Sequence, residues 1–182
     1  DEQLRRRLAD NLFELAKSEI SLDNMRRVQE HAYVRMVDLS SRRGRQGAVI
    51  CGAYGRGNAG DEAILRGIVS QMRSIDPEMP MTVLSRDKLD TRLKNHTNAI
   101  HIFNVPSFLR HLRHARIFIN GGGSLIQDVT SSRSLYFYLF TLWAARLCGC
   151  RVIMYGCGIG PIRRGFNQRL AAGVLDRNVE II

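Results

Sequence analysis

From residue 48 onward two kinds of apolar segment alternate. Short, predominantly apolar runs fall at residues 48–53, 81–85, 99–103, 115–120, 151–157 and 179–182. Between them, residues 61–73, 107–114, 134–148 and 167–176 place apolar side chains at helical spacing. Runs with continuous rather than alternating apolar character suit strands covered on both faces. The alternation therefore predicts an α/β domain, a Rossmann-like parallel sheet with helices on both faces. Such sheets bind ligands beyond the carboxyl ends of their strands, so the loops that follow the strands carry the functional argument.

Residues 1–46 follow another pattern. They contain no Pro and one Gly, Gly44. Leu4, Leu8, Leu12, Leu15 and Ala16 recur at helical spacing, as do Met25, Val28, Ala32 and Met36, with Ser21 or Asp23 as a cap for the second helix. Arg42-Arg43-Gly44-Arg45-Gln46 reads as a linker. The expected organisation is a helical extension over 1–46 and a Rossmann-like domain over 47–182.

Charge and cysteine usage narrow the class. The 182 residues carry a formal charge of +10, and the extension, with ten basic and eight acidic residues, accounts for only two of those charges. The main domain is itself basic and favours anionic partners. No helix-turn-helix, zinc finger or stacking motif accompanies the charge, which argues against nucleic acid. Arg5-Arg6-Arg7, Arg26-Arg27 and Arg42-Arg43 are candidates for peripheral contact with anionic lipid, although solvated helix faces are the simpler reading. Cys51, Cys148, Cys150 and Cys157 lie in or beside apolar stretches and read as reduced thiols. With no apolar core in Asp1-Glu2-Gln3-Leu4-Arg5-Arg6-Arg7 and no long apolar span, a cytoplasmic place is expected, with the inner membrane face as its extreme. The chain begins with Asp and closes in an apolar run, as a piece of a longer protein would. His96, His101, His111 and His114 match no zinc spacing, and no metal is expected.

Three loops carry the candidate chemistry. After the first strand comes Tyr54-Gly55-Arg56-Gly57-Asn58-Ala59-Gly60-Asp61-Glu62. Gly55, Gly57 and Gly60 have the dinucleotide spacing, but Asp61 and Glu62 occupy the helix turn where a pyrophosphate would sit. Asn58, Asp61 and Glu62 instead suit a hydroxyl-rich ligand, or Asp61 is only a cap and the glycines only make the turn. The second loop is Asn120-Gly121-Gly122-Gly123-Ser124-Leu125-Ile126-Gln127-Asp128, followed by Thr130 and Arg133. Consecutive glycines let backbone amides approach a ligand, and Arg133 is placed to hold a phosphate or carboxylate. The third loop is Gly156-Cys157-Gly158-Ile159-Gly160-Pro161, which also reads as a plain strand-to-helix connection.

Together the segments 54–65, 121–128 and 158–161 resemble the polysaccharide pyruvyl transferase family in order and spacing. The likeness is nearest to the bacterial branch acting on cell-wall or exopolysaccharide sugars. It implies a fold like the N-terminal half of the two-domain glycosyltransferases called GT-B. It also implies phosphoenolpyruvate as donor substrate, no cofactor, and a sugar of a glycan or lipid-linked precursor as acceptor. The product would be a cyclic pyruvate ketal. Donor-binding basic residues would come largely from a C-terminal half that these residues do not include. Arg56 stands where the family commonly has an aromatic or apolar residue.

The resulting expectation assigns catalysis to Asp61 and Asp128. Substrate binding is assigned to Tyr54, Gly57, Asn58, Gly60, Glu62, Gly121, Gly122, Gly123, Ser124, Gln127, Arg133, Gly158 and Gly160. Any of Asp61, Glu62 or Asp128 could serve as general base to a hydroxyl. A non-catalytic glycan-binding or assembly module, and less so a dinucleotide-dependent oxidoreductase domain, are the competing readings. The acceptor sugar and the oligomeric state are not legible.

Overall fold

The computed structural model describes residues 2–18, 23, 24, 26, 27, 44–176 and 179–181. The chain divides into two compact units, Asp1–Arg35 and Met36–Ile182. In the first, α1 (Glu2–Ser18) has Glu2 in its first turn and Lys17 in its last, both complementing the helix dipole. Its Leu4, Leu8 and Leu12 stripe and Phe13 are exposed. Asp23, Asn24, Arg26 and Arg27 are helical. Met25, Val28, Ala32 and Met36 of the expected second helix, and Arg42-Arg43 of the linker, lie outside the described residues.

The second unit runs β1 (Ala48–Cys51), α2 (Ala59–Ile75), β2 (Met81–Ser85), α3 (Lys88–Asn95), β3 (Asn98–His101), α4 (Val105–His114), β4 (Ile117–Gly121), α5 (Ser132–Leu147), β5 (Arg151–Tyr155), α6 (Gly165–Leu175) and β6 (Val179–Ile181). All pairings are parallel, and the strand order is β3-β2-β1-β4-β5-β6. The order reverses between β1 and β4, which makes their carboxyl ends the switch point where such sheets bind ligands. Register brings those ends level: Cys51 lies beside Leu84 and Asn120, and Asn120 beside Met154.

Side-chain alternation sorts the two faces. Val49, Cys51, Leu84, Phe118, Val152 and Met154 share one core with Phe108 and Leu112 of α4, Leu135, Tyr138, Leu139, Leu142, Ala144 and Ala145 of α5, and Ala171 and Val174 of α6. The opposite face is covered by α2, whose Leu65, Ile68, Val69 and Met72 are buried. Thiols in this core are held protonated by burial, Cys51 and Cys150 both being pushed up to about 12. Since the thiolate is the reactive form, iodoacetamide is expected to leave both unmodified in the folded protein at mildly alkaline pH. Both should react after unfolding, read by peptide mass spectrometry.

The alternating pattern misses α3. That helix buries Thr91 and Asn95 and exposes Leu89 and Leu93, the reverse of an amphipathic stripe. Hydrogen bonds take the place of apolar packing. Asp87 caps its first turn, accepting from the Asp90 N–H at 3.0 Å, and the Ser85 and Thr91 hydroxyls meet at 2.7 Å.

Candidate functional site

The first loop crosses the carboxyl ends of β1 and β2. Tyr54 is fully buried, and its hydroxyl donates to the Gly121 carbonyl at 2.6 Å. Gly55 has φ +74, and a Cβ there would strike the Ser85 hydroxyl and the backbone of Arg86 and Asp87. A side chain is therefore excluded by both conformation and space. The Arg86 N–H donates to the Tyr54 carbonyl at 3.2 Å, tying the end of β2 to this loop.

Asn58 begins α2 as its N-cap. Its Oδ1 accepts from the Gly60 N–H at 3.1 Å, and its Nδ2 donates to Asp61 Oδ2 at 2.8 Å. Glu62 Oε1 accepts from the Gly55 N–H at 2.8 Å. Asp61 is 8% exposed, and its Oδ1 lies 3.0 Å from where a Cβ of Gly123 would stand. Among the described residues no donor meets that Oδ1. It faces the second loop while its twin oxygen is held from behind.

The second and third loops are bonded along their length. Gly122 N–H donates to the Tyr155 carbonyl at 3.1 Å, Gly158 N–H to Gly123 at 2.9 Å, and Gly160 N–H to Ile126 at 2.7 Å. Ile126 and Ile159 form a parallel bridge, and the Gly160–Pro161 peptide is cis. Asp128 closes the zipper. Its carboxylate accepts from the Arg163 N–H at 2.8 Å, the Arg164 N–H at 3.2 Å and Asn167 Nδ2 at 2.8 Å. The Arg163 amide, then Asn167 and Arg164, hold its carboxyl below the ordinary value. α6 has no side-chain cap bond at Arg164; Asp128 instead ties down, from across the loops, the two amides that lead into the helix.

A lowered native pKa has a definite sign. The stabilisation is complete above the unfolded pKa and is lost as pH falls through the native one. The Asp128→Asn variant is expected to melt below wild type at neutral pH. That gap should close as acid titrates Asp128 through its lowered native pKa, in thermal melts followed by circular dichroism.

The glycine loops thus form one continuous edge at the switch point. Beneath it lies Asn120, wholly buried, with neither side-chain amide atom meeting a hydrogen-bond partner among the described residues. Such an orphan costs about 1–3 kcal/mol. Tyr138 of α5 is also buried here, and burial pushes its hydroxyl well above its ordinary value. The edge is unsuited to a pyrophosphate. Carboxylate and amide oxygens of the protein already occupy the Gly55 and Gly60 N–H groups, and Asp61 and Glu62 place negative charge on the first turn of α2.

A family model for polysaccharide pyruvyl transferase matches residues 58–182. The chain belongs to the polysaccharide pyruvyl transferase family. No curated protein and no solved structure matches it. The matched region takes in the second and third loops whole and the first from its cap, Asn58, onward.

In this member of the polysaccharide pyruvyl transferase family, Asp61, Gly123, Ser124 and Gly158 are brought together. A Cβ on Gly158 would lie 2.8 Å from the Ser124 hydroxyl. Arg133 is exposed near the start of α5, where Ser131 caps the helix through the Arg133 N–H at 3.1 Å. Several expected ligand contacts are engaged by the protein itself. Tyr54 is a pillar between the first two loops, because its buried hydroxyl is satisfied by Gly121. Gln127 closes its own turn, its Oε1 accepting from Val129 and Thr130 N–H at 2.7 and 3.1 Å. Arg86 and Phe103, which follow β2 and β3 on the same edge, are not among the residues that the sequence assigns to the site, and Phe103 reads there as the end of a strand that in fact stops at His101. Their place after a strand was the signal, but no glycine motif drew attention to it. Among the described residues, no helix is long and apolar enough to cross a membrane, and no group of three His, Cys, Asp or Glu side chains could hold a metal ion.

Proposed function

We propose that the chain acts in transfer of a pyruvyl group from phosphoenolpyruvate to two hydroxyls of one sugar residue, in a cell-surface polysaccharide or its lipid-linked precursor. The reading rests on the family match together with Asp61, a buried carboxylate whose one unoccupied oxygen faces a glycine-rich loop at the switch point. The enol methylene gains a proton and becomes the methyl group. One sugar oxygen bonds to the adjacent carbon, the bond from that carbon to the phosphate oxygen breaks, and the second sugar oxygen closes the ketal. Of the two hydroxyl protons, one balances the proton gained by the methyl and the other leaves with phosphate.

Asp61 is the preferred base for a sugar hydroxyl. Asn58 orients it, and its Oδ1 meets no donor among the described residues, whereas both Asp128 oxygens accept hydrogen bonds. Asp128 is instead a positioning residue for the third loop. Arg56 and Arg133 are suited to the anionic groups of the donor. A cytoplasmic setting, at or near the inner membrane face, accords with four free cysteines and a cytoplasmic donor.

The test is incubation of the complete protein, including the C-terminal half expected to supply donor-binding residues, with phosphoenolpyruvate and a panel of sugar acceptors. Acceptor-dependent phosphate release and a ketal carbon in the product are expected. Release of no phosphate and formation of no ketal with any acceptor would reject the proposal. Sugar binding without turnover would favour a glycan-binding module.

A further inference from the structure

Two residues outside the glycine loops form a built platform beside them. Phe103, just after β3, is a large aromatic left 58% exposed. Its ring is nevertheless fixed by neighbours. The Arg86 guanidinium carbon lies over it, 5.2 Å from the ring centroid. Phe137 of α5 meets it edge-on at 5.9 Å and 78°, and His101 lies at 5.7 Å. The backbone carries the pair to the candidate site. Arg86 N–H donates to Tyr54 in the first loop at 3.2 Å, and Ile102 N–H donates to Ser85 at 3.1 Å. Among the described residues no acceptor takes the Arg86 guanidinium donors.

A pyranose has matching chemistry. Its axial C–H bonds make an apolar face, and its hydroxyls ring the equator. An aromatic surface covers the first, and a planar fork of N–H donors reads the second. A guanidinium already held over a ring loses less freedom when it forms such bonds than a free one. A single exposed apolar residue is ordinary on a protein surface. One packed by a cation and two rings at the ligand edge of a parallel sheet is a prepared surface.

We propose that Phe103 and Arg86 form a sugar subsite of this chain, with a pyranose lying on the exposed surface of Phe103 and its hydroxyl oxygens accepting from Arg86. The inference deepens the pyruvyl-transfer reading by naming where the acceptor is held, and its test separates the two. Saturation-transfer NMR is measured with the full chain and the methyl glycosides of glucose, galactose and N-acetylglucosamine as probes. Enhancement concentrated on the protons of one ring face is expected for at least one glycoside. It should fall roughly five-fold in Phe103→Ala, as for loss of one aromatic contact. It should persist in Phe103→Trp and weaken in Arg86→Ala. Both side chains are largely exposed, so melting temperatures should stay near wild type.

No enhancement with any glycoside, or equal enhancement in Phe103→Ala, overturns the subsite. The phosphate-release assay gives the second readout. Sugar binding that depends on Phe103 without phosphate release sinks the transferase reading and leaves the subsite standing. Turnover with an acceptor KM unchanged in Phe103→Ala sinks the subsite and leaves the transferase reading.

Discussion

Replacing Asp61 with Asn is expected to lower acceptor-dependent phosphate release by a factor of ~10²–10⁴, the usual contribution of a positioned general base. The substitution keeps size and hydrogen-bonding capacity but removes the ability to take a hydroxyl proton. Asn58 still caps α2 through the Gly60 N–H, so the helix start should survive. The melting temperature should therefore move little while the rate collapses. The control is Asn58→Ala, which removes both the cap and the donor to Asp61 Oδ2. It should cost about 1 kcal/mol of stability and reduce the rate less than loss of the carboxylate does. Near-normal turnover in Asp61→Asn, alongside an inactive but folded Asp128→Asn, would exchange the roles assigned to the two carboxylates.

The largest effect on stability is expected from Gly52→Ala. The backbone at Gly52 is not in the left-handed region, so conformation alone would allow alanine. Space does not: the new methyl would meet the Gly121 carbonyl oxygen and the Tyr54 ring, with Cε2 at 2.7 Å. Backbone and a fully buried ring cannot swing aside as an exposed side chain does. Overpacking of this kind costs about 1–3 kcal/mol or more. A fall in melting temperature on the order of 10 °C follows for a domain of this size. Gly57→Ala is the informative contrast. Its φ is +74 but nothing lies within 4 Å of the added methyl, so only the left-handed penalty of about 1–2 kcal/mol applies. If the two variants melt together, the first two loops are not packed as described, and the joined edge at the switch point is lost with them.

Much of this architecture was readable from residue order because its signals are local. Ile117-Phe118-Ile119 and Val152-Ile153-Met154 are apolar on both faces, and only a doubly covered parallel strand needs that. The amphipathic run marked α2, but its cap is Asn58 and not Asp61, which lies inside the first turn. Local signals also misled. Leu89 and Leu93 point outward in α3, where Thr91 and Asn95 are the buried positions, so a periodicity argument has nothing to find. Ala115 ends α4 instead of opening β4, because its N–H completes the helix by donating to His111.

The roles of the candidate residues divide along the same line. Residue type and spacing alone established a parallel α/β sheet, three glycine-bearing loops after its strands and a set of carboxylates among them. Which carboxylate keeps an open oxygen was decided only by folding. Asp61 and Asp128 are alike as sequence, but Asp128 meets three donors, two of them backbone amides 35 and 36 residues away. The same holds for Tyr54, buried by a partner 67 residues along the chain, and for Arg86 and Phe103, stacked from the ends of different strands. Hydrogen bonds and ring contacts act over a few ångströms in space. No spacing along the chain encodes them until the sheet has aligned its strand ends.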